Sequence, residues 1–268
     1  MQPWLMMFKK DLRMSKLSLI GFCVLIAVSL LFVSISYTNE RGSAFAIGLM
    51  AMLMGPIILY FPVHLLLSLR HEWHKSAPIW LHTPISGYGL LLSKAVVGLI
   101  YFLACLIIMI LFGYWISQIG LHRWIAPLGD IHAQTLQSLI PDIWTVILFG
   151  LLGIVAIGIY MGVWAALISV SMQSVKNQWS KFSLLLGVII FLIPTWGFAE
   201  LSRVSFLRQV LRIGQIDIPF RVQISSTAPM VDHVGHLTLY TGTIIAYVLV
   251  VSVVFYLTGW LLDKKVEV

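Results

Sequence analysis

The run AVVGLIYFLACLIIMILFGYWIS, Ala95–Ser117, carries no Asp, Glu, Lys or Arg from end to end. At 1.5 Å of rise per residue, about 20 such residues cross the roughly 30 Å hydrocarbon core of a bilayer, so the run reads as a transmembrane helix. Working outward, the same reading recurs at Leu17–Tyr37, Ala44–Leu69, Ile143–Val170, Ser183–Ala199 and Tyr240–Leu262. Ser183–Ala199 is short and carries Pro194, which leaves a re-entrant segment and a five-span chain as alternatives to six spans. With 60% hydrophobic and 10% charged residues among 268, and a mean hydropathy of +0.97, the chain is more apolar than a soluble domain. The expected fold class is all-α integral membrane, a single transmembrane domain over residues 1–268.

Seventeen Lys and Arg stand against ten Asp and Glu. In a bilayer protein this excess belongs to basic loops beside anionic lipid, and no nucleic acid partner is expected. Eleven of these cations fall on the side of both termini: Lys9, Lys10, Arg13, Lys16, Arg70, Lys75, Lys94, Lys176, Lys181, Lys264 and Lys265. Arg41, Arg123, Arg203, Arg208, Arg212 and Arg221 fall on the other. The positive-inside rule then makes both termini cytoplasmic and residues 200–239 an outer loop. The expected location is the cell membrane, multi-pass, in a bacterial plasma membrane. The first apolar run follows a basic lead and has no small-residue cleavage motif, so it reads as a retained anchor. Cys23 and Cys105 lie inside apolar runs and read as packing residues.

Two segments read as interfacial. In MQPWLMMFKKDLRMSK, Trp4, Phe8 and Leu12 recur every four residues while Lys9, Lys10, Arg13 and Lys16 mark the polar side. That pattern predicts an elbow helix over 1–16 lying at the headgroups. In LSRVSFLRQVLRI, the stripe Leu201, Val204, Leu207 and Leu211 predicts an outer interfacial helix.

A charge at mid-membrane costs about 2.5–3.5 kcal/mol on insertion scales, and the six runs contain none. His64 is the one histidine within them, read as a hydrogen-bonding residue near the cytoplasmic end rather than a proton relay. Ion-coupled transport therefore has little to work with. No GxxxxGK[ST] cradle for ATP phosphates and no G-x-S-x-G elbow appear. His71 and His74 in HEWH stand at i and i+3 rather than the i and i+4 of HExxH, and with His82 they lack a nearby Cys or further acidic ligand. No catalytic residue, metal or cofactor is expected on this chain. Gly158, Gly162 and Ala166 form a strip of small residues that lets helix backbones approach, within the bundle or at a dimer seam.

Arg70–Lys94 is the expected cytoplasmic connection between the second and third spans. Alternating charge with Trp73 and Trp80 is the composition of a protein-docking surface, or of interfacial anchors at the headgroups. The basic lead FKKDLR, a second span and then EWHKSAPIWLHTPISGYGLLLSK resemble the type-two ATP-binding-cassette (ABC) exporter permeases. Onto that family's loop pattern fall Glu72, Trp80, Leu81, Pro84, Ile85, Ser86 and Lys94, although HKSAP replaces the small residue and Thr that often follow the acidic position. The resemblance implies a permease that works with a second copy or a sister permease and with membrane lipids around it. It also implies a separate cytoplasmic ABC ATPase that holds ATP and Mg and is coupled through this loop. Glu72 is then expected to make a polar contact with the ATPase, Trp73, Trp80, Leu81 and Ile85 to supply apolar contact, and Pro84 the turn. On that reading Glu72→Lys uncouples the ATPase without loss of insertion. A dry, uncharged bundle suits a hydrophobic or amphipathic cargo such as a peptide, drug or lipid-like molecule. A non-transport assembly protein and a membrane-embedded lipid-modifying enzyme are the competing expectations.

Overall fold

The computed structural model describes residues 3–36, 42–75, 86–125, 129–176, 180–193, 203–224 and 231–264, together with Gly197 and Glu200. The longer helices among the described residues are α1 (Pro3–Ser36), α2 (Gly42–Lys75), α3 (Gly87–Ile125) and α4 (Gly129–Lys176), followed by the shorter α5 (Ser180–Leu192) and by α7 (Thr241–Lys264). Between the last two lie a short helix, α6 (Ser205–Leu211), and the antiparallel strands β1 (Gln215–Ile224) and β2 (Val231–Tyr240).

Among the described residues, four segments are long and apolar enough to cross a membrane: Leu5–Ser29, Gly87–Leu111, Leu148–Ser174 and Thr241–Lys264. Along them, leucines, isoleucines and valines such as Val28, Ile107, Leu152 and Leu249 remain exposed, the surface expected of helices whose solvent is hydrocarbon. The chain is thus a helical multi-pass membrane protein. α2 contains Pro56 and Pro62, each lacking the N–H of a regular helix bond. α5 covers the first ten residues of the fifth run, from Ser183 to Leu192, and residues 194–196, 198 and 199 of that run lie outside the described residues.

The core runs through the middle of the bundle. Phe22 and Ile26 of α1, Ile57, Phe61, Leu65 and Leu69 of α2, Val97, Phe102 and Cys105 of α3, and Ala166 and Val170 of α4 form one buried cluster. α4 is the hub, packing against α2, α5, α7 and β1. Its strip of small residues makes that possible. A Cβ on Gly158 would come within 2.8 Å of the Phe102 ring, one on Gly162 would run into the Phe61 ring, and Ala166 is buried in the same core cluster as those rings. The strip is therefore covered by rings of the chain's own α2 and α3. Gly150, further along the same helix, meets nothing within 4 Å.

Two expectations are corrected here. The interfacial elbow over 1–16 is not a separate element: α1 is one continuous helix, with Phe8 and Leu12 packed against the core while Lys9, Lys10 and Arg13 are exposed. The side chain of Trp4 lies outside the described residues. The outer loop 200–239 contains a β-hairpin of ten paired positions, from Gln215↔Tyr240 to Ile224↔Val231, so the fold is helical with one small sheet. β1 reads QIDIPFRVQI, with Ile216, Ile218, Phe220, Val222 and Ile224 at alternate positions, the period of a strand. Gly214, at φ 70°, makes the turn from α6 into β1, and its carbonyl accepts the Thr241 N–H at 3.0 Å and the Thr241 hydroxyl at 2.9 Å. This ties the hairpin root to the start of α7. The expected outer helix survives only as seven residues, with Leu207 and Leu211 half-buried and Phe206 exposed.

The covered strip makes a prediction with an internal control. Gly162→Leu must displace Phe61, an overpacking cost of about 1–3 kcal/mol. It is expected to lower the unfolding temperature in detergent, whereas Gly150→Leu leaves it unchanged or raises it. Thermal unfolding of the two purified variants checks this.

Candidate functional site: a buried charge cluster and an adjoining groove

The core stripe of α3 follows helical spacing through Leu90 and Leu91, Val97, Tyr101 and Cys105, all buried. Lys94 lies on that same stripe and is 2% exposed. Glu72 continues the stripe Phe61, Leu65 and Leu69 of α2 and is 1% exposed. Asp11 lies beside Leu12 on the inward face of α1, one turn before buried Ser15. Three helices thus each present one ionisable side chain to a common point.

They meet there. The Lys94 ammonium donates to Asp11 Oδ1 at 3.2 Å and to Glu72 Oε1 at 3.2 Å. Lys10 closes the group from the surface, donating to Glu72 Oε1 at 2.8 Å, and Ser93 Oγ donates to Asp11 Oδ2 at 2.8 Å. Two carboxylates and two ammonium groups balance in charge. Tyr101 adds a second tie from α3 to α1, its hydroxyl donating to the Leu12 carbonyl at 2.7 Å. Asp263, near the end of α7, accepts the backbone N–H of Gly87, the first residue of α3. A carboxylate at a helix N-terminus satisfies one of its free N–H groups and opposes the positive end of the helix dipole. The leading part of α1, the end of α2, the start of α3 and the end of α7 are therefore joined at one end of the bundle.

Beside the cluster a groove of about 860 Å³ opens between α1 and α2. Its far end is lined by Gly55, Pro56 and Leu59 and its middle by Val63 and Leu67, and it ends on Asp11, Glu72, Lys94 and His71. His64 also lines it, 7% exposed, its ring stacked on Tyr60 at 6.1 Å and seated where Gly98 of α3 leaves room.

The expected coupling segment is redistributed by these contacts. Arg70–Lys75 and Gly87–Lys94 are helical, so the connection between α2 and α3 is confined to the residues after Lys75 and before Gly87. Glu72, expected to reach a partner, is buried and bonded to lysines of its own chain. Trp73 is half-buried against the core, its indole N–H unpaired among the described residues. Trp80, Leu81, Pro84 and Ile85 lie outside the described residues, as do His82 and the side chain of His74. Asp11, Ser93 and Tyr101 were not singled out from the sequence, and Lys94 was counted as a loop cation. Their helical phase was the signal: each occupies a position where the 3–4 spacing calls for an apolar residue. Among the described residues no group of three or more His, Cys, Asp or Glu is arranged to hold a metal ion. Compared with known proteins, the chain matches no family model, and no curated protein or solved structure is significantly similar to it.

Removing one member of a buried ion group leaves its partners uncompensated, at about 3–5 kcal/mol. Lys94→Met is therefore expected to lower the unfolding temperature in detergent by on the order of 10 °C. Asp11→Asn together with Lys94→Met should recover part of that loss, because Glu72 keeps Lys10. Additive losses in such a double-mutant cycle would mean that the charges act separately. Glu72→Lys sets a third ammonium beside Lys10 and Lys94, and a collapse in folded yield is expected in place of the insertion-neutral outcome drawn from the sequence.

Proposed function

We propose that this chain is the membrane-spanning permease subunit of an ABC-type exporter, moved by a separate ATPase docked on the connection between α2 and α3. The observation that carries the reading is the Asp11–Lys94–Glu72–Lys10 cluster at the root of that connection. Glu72 lies three residues before the end of α2 and Lys94 seven residues into α3, so both roots of the connection are tied to each other and to α1. A push on the connection is then delivered to three helices as one rigid body, the kind of motion by which a bundle changes its access. ATP closing a pair of ATPases supplies the differential affinity that drives such a shift.

On this reading the spans number six, α2 and α5 adding to the four that meet the length and composition of a crossing helix, and both termini are cytoplasmic. A second copy or a sister permease completes the pathway, ATP and Mg reside on the ATPase, and the cargo is hydrophobic or amphipathic. The apolar lining of the groove between α1 and α2 favours such a cargo over a small ion.

Gentle solubilisation of the native membrane should recover an ATPase-sized partner with this chain, and Trp80→Ala with Pro84→Ala should reduce that recovery severalfold while leaving the chain's own unfolding temperature unchanged. Liposomes holding the chain alone that accumulate solute on nucleotide addition would refute the proposal. For the orientation, in a background lacking Cys23 and Cys105, Ser226→Cys should react with an impermeant maleimide in intact cells, and Ser76→Cys only after lysis.

A further inference from the structure

The groove between α1 and α2 is built as an amphiphile is built. Its wall on α2 runs from Gly55 to Glu72, about 25 Å at 1.5 Å per residue. That matches the distance from the mid-plane of a bilayer through one leaflet into its headgroups, about 20–22 Å. The deep end is apolar, made by Pro56, Leu59 and Val63, and the other end is polar, made by Ser68, His71 and the charge cluster. Leu59, Val63 and Leu67 are 45–60% exposed, so the groove opens sideways toward hydrocarbon rather than into the bundle. Its volume of about 860 Å³ falls within the range of small-ligand sites, roughly 300–1,000 Å³.

The polar end also has a sign. Among the described residues of α1 and α2, every exposed charged side chain is basic: Lys9, Lys10, Arg13, Lys16 and Arg70. Both carboxylates of these helices, Asp11 and Glu72, are buried and held by lysines. Arg70 follows groove residue Leu67 by one turn, Lys10 precedes groove residue Met14 by one turn, and Arg13 is next to it. A cationic head entering here would meet a basic rim, and the acids behind it are already paired. An anionic head would meet complementary charge.

We infer that this groove is a binding site for one anionic phospholipid, with an acyl chain along Pro56, Leu59, Val63 and Leu67 and its phosphate at Arg13 and Arg70. The lipid seals the seam between α1 and α2 beside the charge cluster and keeps water from it. This site does not depend on the exporter reading and would serve any membrane protein with this fold.

Native mass spectrometry of the purified full-length chain, with equimolar phosphatidylglycerol and phosphatidylcholine of identical acyl chains, tests it. The wild-type chain should retain one phosphatidylglycerol in preference to phosphatidylcholine. Arg70→Gln, a change at an exposed position that leaves the fold intact, should cut the preference about fivefold, the effect of one basic side chain at an anionic surface. Gly55→Leu projects a side chain into space where a Cβ meets nothing within 4 Å, so it fills the groove without displacing its walls. It should abolish retention of the bound lipid while elution and unfolding temperature stay as in the wild type. Equal retention of the two lipids by the wild type would identify annular lipid only and overturn the proposal. So would Gly55→Leu or Arg70→Gln binding phosphatidylglycerol as the wild type does.

Discussion

Lys94 is a cation placed where three helices expect an apolar residue, and the end of the bundle where α2 leads toward α3 depends on how it is satisfied. Taking an ammonium group out of water costs several kcal/mol, and its attraction to a carboxylate repays this only when geometry and hydrogen bonding are good. Here Asp11 and Glu72 each approach to 3.2 Å, while Ser93 donates to the second Asp11 oxygen and Lys10 shares Glu72 Oε1 with Lys94. In a bilayer this matters more for register than for net stability. Lipid tails are as apolar as leucine, so apolar contact between α1, α2 and α3 is a weak guide to their alignment. A slip of one residue turns a helix by about 100° and carries the charge away from its partners. The ionic contact thus specifies a geometry that oily packing alone leaves loosely defined.

The remainder of the bundle is arranged around that tie. Gly87 and Asp263 bring the end of α7 to the same pole as the charges. At the opposite pole the contacts are of another kind: backbone and hydroxyl hydrogen bonds from Thr241 and Thr243 to the carbonyls of Gly214 and Leu211 fasten the hairpin and α6 to the start of α7. Between the poles, α4 lies close to α2 and α3 because Gly158 and Gly162 leave room for Phe102 and Phe61. One end is braced by charge and the other by backbone hydrogen bonds, with ring-on-glycine packing through the middle. A force applied between α2 and α3 would enter at the charged end, where ionic contacts tie α1, α2 and α3 to one another.

Much of this was legible in the chain and some was passed over. The uncharged runs marked the helices, and the strip Gly158, Gly162 and Ala166 marked a close approach. The alternation of Ile216, Ile218, Phe220, Val222 and Ile224 also stood in plain view. It was absorbed into an outer loop because membrane sequence is scanned for long uniform runs, not for a period of two. Counting Lys94 among the loop cations that orient the chain, and assigning Glu72 to a partner contact, discards their helical phase. Read at 3–4 spacing with Leu91, Val97 and Tyr101, Lys94 falls on a buried stripe.

The sequence by itself determined the medium in which this protein lives, because transfer of side chains into hydrocarbon is nearly additive along a run and needs no knowledge of neighbours. It also determined where close packing is allowed, since only small residues permit it. Only the tertiary structure decided which charges meet. Lys94 lies 83 residues from Asp11 and 22 from Glu72, and several other acids and bases in the chain have the same chemistry. Electrostatic partnership depends on distance in space and on local burial, and both arise only when α1, α2 and α3 pack against one another.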